Sequence, residues 1–338
     1  MKIKLVIYIF LLSILPFVSI FSQQVYRIGI IGLDTSHSPA FIKMLNSSSP
    51  SIKYKNFRIT AAYPYGSSTI KSSFSRIPMY TEEAKKYGVE IVGSIAELLQ
   101  KVDFIMLETN DGNMHLKQAA EVFKSGKPVF IDKPIAATLS DAIAIYMLAN
   151  KYNVPVFSSS PLRYTPQNQD IRYGKYGKVI GADCYSPAHG EPSHPDFSWY
   201  GIHGIEILYT IMGTGCEKVN RVHCDSMDVV TGLWKDGRIG SFRGFRNGRQ
   251  DYGGTVFCEN TIVNAGGYVG HMELLNHILD FFMTKASPVS MQETIEIFAF
   301  MAASNESIKH QGIQISIQSV LEKGRKQAKK TLSKYGLY

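Results

Sequence analysis

Four potential metal donors fall within eight residues, His189, Glu191, His194 and Asp196, and His203 follows close behind. Such side chains ligate a divalent ion when a helix or strand turns them to one side. Pro192 and Pro195 make this stretch a loop, whose spacing fixes no common face, so no metal is assigned to the chain. A sugar-binding loop accounts for the composition better. Trp199 and Tyr200 offer aromatic faces to a pyranose ring, while His189, Glu191 and His194 offer partners for its hydroxyls. Arg243, Arg246 and Arg249, spaced at three among glycines, read as exposed strand and turn residues rather than an anion site.

A second candidate is Gly32-Leu33-Asp34-Thr35-Ser36-His37, which closes the apolar run 26–32. A dinucleotide site asks for G-x-G-x-x-G at this point, because bare backbone must approach the pyrophosphate at the start of a helix. Only the first glycine is in place. Asp34 and His37 take the other two positions, and a carboxylate beside a pyrophosphate repels it unless it turns away or caps the helix. Thr35 and Ser36 still offer hydroxyls and amides. Nor does the next strand end in the acid that holds ribose hydroxyls: residues 63–68 read Tyr-Pro-Tyr-Gly-Ser-Ser, and Ser67 and Ser68 are possible contacts for an additional phosphate.

These loops need elements to position them. Short apolar strands are expected at 26–32, 58–63, 91–92, 103–108, 128–131 and 154–158, with helices at 39–46, 95–101, 114–125 and 139–152 between them. Strands spaced by helices imply a parallel, doubly wound sheet, with the ligand at the carboxyl ends of the strands.

Downstream, the run from Asp103 through Glu108, Thr109 and Asn110, then His115, then Gly126 through Asp132-Lys133-Pro134 resembles the Gfo/Idh/MocA family of sugar oxidoreductases. There a strand ends in a Pro-Asn type turn, a His follows on the next helix, and a Gly-Lys-His-Val strand leads into Glu-Lys-Pro. The resemblance continues through residues 153–156, Pro161-Leu162-Arg163-Tyr164, residues 176–181, His203-Gly204-Ile205-Glu206 and a helix at 271–283. It implies an α/β Rossmann-type doubly wound domain (23–158) followed by an α+β domain with an open, mostly antiparallel sheet (159–338). It also implies NAD or NADP as cofactor, a carbohydrate or polyol substrate, and a homo-oligomer formed through the second sheet.

Site residues follow from the same resemblance. Lys133 and His203 match the positions that flank the reacting carbinol, where a base takes the hydroxyl proton and a charged Lys favours the developing alkoxide. Trp199 stands four residues before His203 where the family has Asp; Glu206, three residues after it, lies on the same helical face and either substitutes in part or binds substrate hydroxyls. Gly32, Leu33, Asp34, Thr35, Ser36, His37, Thr109, Asn110, His115, Asp132, Lys133, Pro134 and Arg163 are the expected cofactor contacts. Lys133, Arg163, Tyr164, His189, Glu191, His194, Trp199, Tyr200, His203 and Glu206 are the expected substrate contacts. Arg163 either clamps a ligand or ties two loops. Two other readings stay open: a glycoside hydrolase or lyase that oxidises its substrate transiently with a retained NAD, and a carbohydrate-binding protein that has lost the cofactor.

The ends of the chain bound its partners. Of the formal charge of +8 over 338 residues, residues 1–22 carry +2 and residues 322–338 carry +5, so the remainder is nearly neutral. A basic groove for nucleic acid therefore has no source in the body of the chain. Residues 1–22, two lysines followed by an apolar run with Ser19 and Ser22 at its end, have the layout of a secretory signal, with an uncleaved anchor as the alternative. Export to the periplasm or beyond is expected, with no membrane association beyond the signal. Of the four cysteines, Cys216 and Cys224 are the candidates for pairing, against four buried free thiols.

Overall fold

Six runs pair into one parallel sheet in a computed structural model that describes residues 24–48 and 55–337; the expected export signal lies outside the described residues. In chain order the first half is β1 (Tyr26–Ile31), α1 (His37–Asn46), β2 (Phe57–Tyr63), α2 (Lys71–Phe74), α3 (Ile77–Lys86), β3 (Glu90–Ile91), α4 (Ile95–Lys101), β4 (Phe104–Leu107), α5 (Gly112–Phe123), β5 (Val129–Ile131), α6 (Leu139–Tyr152) and β6 (Val156–Phe157). The strand order is β3-β2-β1-β4-β5-β6, and every pairing is parallel. Ile28 to Ile31, Ile105 to Leu107 and Val129 to Ile131 are apolar without alternation because helices cover both faces. Order reverses between β1 and β4, which puts a crevice at their carboxyl ends.

The helices differ from expectation in two places. α1 begins at His37, two residues early, because Pro39 in a first turn gives up no needed amide. α2 and α3 fill the stretch after β2, which had no assigned element; the buried turn made by Ser67 Oγ, which accepts from the amides of Thr69 and Ile70 at 3.3 and 3.2 Å, leads into α2.

The second half is a 3-10 turn (Pro161–Tyr164), α7 (Pro166–Arg172), β7 (Val179–Pro187), α8 (Ile202–Met212), β8 (Cys216–Cys224), β9 (Met227–Trp234), β10 (Ile239–Phe245), β11 (Gly253–Cys258), β12 (Ile262–Ala265), α9 (Met272–Thr284), α10 (Met291–Lys309), β13 (Ile315–Ser316) and α11 (Ile317–Lys334). Its sheet runs β12-β11-β7-β10-β9-β8-β13. All pairings are antiparallel except β7 with β10. One face packs on α8 and α10; the other carries exposed Val222, Ile239, Phe257 and Ile262.

Packing ignores the order of the chain. α9 belongs to the later half, yet Leu274, Leu275, Ile278, Leu279, Phe281 and Phe282 share a core with β1 and β2. Phe282 stacks on Phe104 with centroids 4.7 Å apart, and Phe281 meets Phe157 edge-on at 4.8 Å. α11 lays Ile317, Val320, Ala328 and Leu332 inward and leaves its lysines in solvent. Among the described residues no helix is long and apolar enough to cross a membrane. All four cysteines are free, and Cys224 is exposed rather than buried; Cys216 and Cys224 stand at opposite ends of β8, too far apart for a disulfide.

Candidate active site

A cleft of about 440 Å³ opens at the carboxyl ends of the parallel strands. Thr35, Ser36 and His37 at the start of α1 form one side, with Asn110 after β4 and Lys133-Pro134 after β5. The second half closes it with Trp199, Tyr200 and His203, and with Tyr252, Tyr268 and His271.

The α1 end suits an anion. The helix has ten residues, no acidic side chain in its first turn, and no side-chain cap from Ser36; the His37 amide donates to Thr35 Oγ1 at 3.3 Å and Pro39 has no N–H, so the positive dipole end and the Thr35 and Ser36 hydroxyls are what this end offers a ligand. Ser72 and Arg76, from α2 and the residue preceding α3, line the cleft as well. Gly32, at φ +96°, is required: a Cβ there would lie 2.6 Å from the Thr109 nitrogen. Asp34, the residue least compatible with a pyrophosphate, is fully buried and turned away. Its carboxylate accepts from the amides of Asn110 (3.1 Å) and Ser67 (3.4 Å), and burial, partly offset by these bonds, pushes its pKa up to about 6. A Cβ on Gly66 would overlap that carboxylate. The donors present therefore fit a dinucleotide's diphosphate despite the two absent glycines. Ser67 lies 2 % exposed inside its own turn rather than facing a ligand.

At the other end Lys133 and His203 meet. Burial draws the Lys133 ammonium below the usual lysine range, against the pull of Asp132, Glu108 and Glu206. Its Nζ stands 5.7 Å from the centre of the Tyr200 ring. His203 Nδ1 is 2.8 Å from Ser160 Oγ, which leaves Nε2 as the remaining ring nitrogen. Burial, then the charges of Lys133, His37 and His271, holds the His203 pKa well below that of free histidine. His271 is likewise drawn down to about 4, first by burial and then by His37, whose ring centre is 4.3 Å away. Tyr252 is raised to about 12 by burial; its ring meets His203 edge-on at 5.7 Å.

Several expected contacts lie elsewhere. Arg163 is 2 % exposed and donates to Glu206 Oε1 through Nε (2.9 Å) and to Glu293 Oε1 through Nη1 (2.6 Å). Burial opposes its charge, but the two glutamates outweigh that and raise its pKa above the ordinary value. Glu206 also accepts from the Ser160 amide at 2.9 Å, so its carboxylate has no freedom to assist His203 or bind sugar. The ligand-binding expectation for both residues gives way to a buried ion group tying the 3-10 turn to α8 and α10. Tyr164 stacks on His277 with centroids 4.1 Å apart, outside the cleft. His115 is buried between the carbonyls of Thr109 (2.6 Å) and Ile135 (3.2 Å), where burial lowers its pKa; it fixes the turn beneath the cleft. Gly32, Leu33, Thr109 and Asp132 are also below the surface.

The loop 188–200 splits. Trp199 and Tyr200 face the cleft, but His194 Nε2 accepts from the Gly112 amide at 3.2 Å, Asp196 pairs with Arg221 and Arg246, and Glu191 accepts from Ser193 Oγ at 3.2 Å. His189 meets the Tyr200 ring edge-on, centroids 5.5 Å apart. These four do not converge on a metal. Arg246 is correspondingly half-buried in an ion network with Asp196 and Asp228, not an exposed turn residue. Sequence reasoning passed over Ser72, Arg76, Tyr252, Tyr268 and His271. The last two sit in Gly-Gly-Tyr-Val-Gly-His just ahead of an amphipathic helix, the only local sign of a loop held against a ligand.

The six-stranded parallel order, the crevice at its switch point and the covering mixed sheet define a Rossmann-type domain followed by a second domain with a mixed, mostly antiparallel sheet. Residues 26–160 match the model of the Gfo/Idh/MocA oxidoreductase family, NAD-binding Rossmann fold, a match that supports NAD or NADP as the cofactor class and an NAD(P)-dependent oxidoreductase as the enzyme class. No curated protein matches the sequence. Solved structures share the fold: a probable dehydrogenase from Thermotoga maritima (TM-score 0.69, 18% identity, 87% of this chain and 99% of that one). Scyllo-inositol dehydrogenase from Lactobacillus casei, solved with NAD(H) and scyllo-inositol, superposes with TM-score 0.69 at 14% identity over 87% of this chain and 100% of its own. Myo-inositol 2-dehydrogenase from Lactobacillus plantarum gives 0.70 at 16% identity, covering 87% and 99%.

Proposed function

We propose that the protein moves a hydride between NAD(P) and a carbinol carbon of a cyclic polyol or sugar, with His203 as the proton acceptor and Lys133 as the group that stabilises the developing alkoxide. The observation that carries this reading is the joint presence of Lys133 and His203 in a cleft that the amino-terminal end of α1 also lines. The dipole end of α1, with the Thr35 and Ser36 hydroxyls and Arg76, would hold the diphosphate. Bound there, the nicotinamide supplies the hydride acceptor or donor. With Nδ1–H donating to Ser160 Oγ, His203 Nε2 presents a lone pair to a substrate hydroxyl. The positive charge of Lys133 favours the alkoxide. Trp199, Tyr200 and Tyr252 supply flat walls against the C–H faces of a ring. The inositol substrates named for two fold relatives favour an uncharged polyol.

The test is direct. The purified chain is titrated with NAD and NADP by calorimetry and assayed on a panel of inositols and hexoses by reduced-nicotinamide absorbance. Lys133→Met and His203→Ala should each cut turnover by at least about 100-fold while cofactor still binds. Absence of cofactor binding, or unchanged turnover in both variants, overturns the reading. We also propose export directed by residues 1–22 and assembly of copies through the outer face of the seven-stranded sheet.

A further inference from the structure

Three side chains with no part in the reaction above meet under the floor of the cleft. His37 comes from the first turn of α1, Glu108 from the end of β4 and Asp132 from the end of β5. β1, β4 and β5 are parallel neighbours, so the three residues share one end of the sheet. One ligand-capable atom of each lies within 4.8 Å of the other two. All three are buried: His37 is 7% exposed, Glu108 0% and Asp132 2%.

Their partners are what set this cluster apart. Both carboxyl oxygens of Glu108 are buried without a hydrogen-bond partner, an arrangement that is strongly unfavourable for a bare carboxylate. His37 Nδ1 stands 2.8 Å from Asp132 Oδ2, an ion-pair contact that, against the opposing effect of burial, helps hold the Asp132 carboxyl below the usual carboxylate range. An imidazole nitrogen and a carboxylate at this range, beside a carboxyl with no partner, are arranged as ligands of a common centre are. A first-row ion with bonds of roughly 2.0 to 2.2 Å holds its ligand atoms about 3 to 4 Å apart, so binding would open the 2.8 Å His37–Asp132 contact slightly and draw in the widest pair, now within 4.8 Å.

We propose that His37, Glu108 and Asp132 bind one divalent first-row cation, entering from the cleft that His37 lines. An imidazole with two carboxylates suits Zn²⁺ or Mn²⁺ better than the all-oxygen preference of Ca²⁺ or Mg²⁺. Two carboxylates neutralise the dication and leave Lys133 as the net charge above it. The Lys133 amide, donating to Asp132 Oδ1 at 2.8 Å, holds the carboxylate in orientation as an outer-shell partner does. The site also accounts for a departure noted in the sequence: the imidazole at the third glycine position of the fingerprint contributes a ligand.

Zn²⁺ alone is the probe. The full chain is stripped with a chelator, titrated with ZnCl₂ by calorimetry, desalted and analysed for metal, with thermal unfolding followed in parallel. Wild type should take up one ion per chain at this site and melt higher with Zn²⁺ present. Glu108→Gln, His37→Gln and Asp132→Asn should each weaken binding beyond the roughly 10- to 100-fold that loss of an outer-shell partner costs and lose the melting shift. His310→Gln, at an exposed helix end, should bind as wild type does. If Glu108→Gln does not fold, the other two ligand variants carry the same expectation. The site is refuted if stripped wild type takes up no Zn²⁺, if folded ligand variants keep wild-type affinity, or if an infrared band of a protonated Glu108 carboxyl persists in saturating Zn²⁺. None of these outcomes depends on dehydrogenase activity.

Discussion

His203 is the residue whose surroundings make the firmest statement about pH. Burial and three cationic or potentially cationic neighbours hold its pKa well below 6.5, so it is neutral, and able to accept a proton, at neutral pH. As pH falls from 8, kcat/KM for alcohol oxidation should stay level through 6.5 and decline only at lower pH, the acid limb following the lowered pKa. Initial rates across that range check it, and an acid limb at 6.5 or above would contradict the neutral, buried ring. The same groups link acid to stability. His203 and His271, the latter drawn down to about 4, are neutral when folded, whereas in the unfolded chain both take up protons near 6.5. At these two sites the unfolded state binds more protons in that window, so their contribution to stability is intact above 6.5 and is lost as pH drops toward 4, while Asp34, raised to about 6, acts in the opposite sense. His271→Gln should therefore retain more of its pH 7 melting temperature at pH 4 to 5 than wild type does.

The buried ion group decides how the 3-10 turn, α8 and α10 are fastened, and it reverses one sequence-based expectation. Arg163 faces Glu206 and Glu293, all three nearly inaccessible to solvent. Arg163→Ala removes the buried cation between Glu206, which keeps the Ser160 amide, and Glu293, which keeps Arg172, and should cost about 3 kcal/mol, read as a shift in the urea midpoint with cofactor affinity measured on the folded fraction. Weakened cofactor binding at unchanged stability would restore the clamp that the sequence suggested. On α9, Phe282→Ala removes a ring stacked at 4.7 Å on Phe104 and should cost about 3 to 5 kcal/mol. Legibility follows the range of the interactions. Strands β1, β4 and β5 and helices α5 and α6 were readable because apolar runs and turn signals are local. The docking of α9 onto the first sheet was not, since its apolar stripe is the same whichever core receives it. Lys133 and Trp199 were legible as cleft residues from motif and type. The pairing of Arg163 with Glu206 was hidden because their partner Glu293 lies 130 residues away, and His271 was missed because a lone His before a helix carries no pattern.

At the scale of the whole molecule the two faces of the seven-stranded sheet are unequal. Alternation along β9 sends Val230 and Trp234 into the core, and along β10 it sends Phe242 inward and Ile239 outward. Ile239 is 57% exposed, Val222 67% and Ile262 65% on the outer side. A folded monomer rarely leaves so many large apolar side chains on one open sheet face, and with the charge of the chain gathered at its two ends there is little repulsion to keep that face from a second copy. A twofold contact would place the same patch on both sides of the interface. Light scattering coupled to size exclusion should therefore give a mass that is a multiple of the single chain. Ile239→Glu, at a position already in solvent within one chain, leaves the core untouched and should shift the population to monomer with an unchanged far-ultraviolet spectrum. A wild-type chain that elutes as a monomer at high micromolar concentration would show that the face has some other role. A multimer indifferent to Ile239→Glu would place the contact on a different surface.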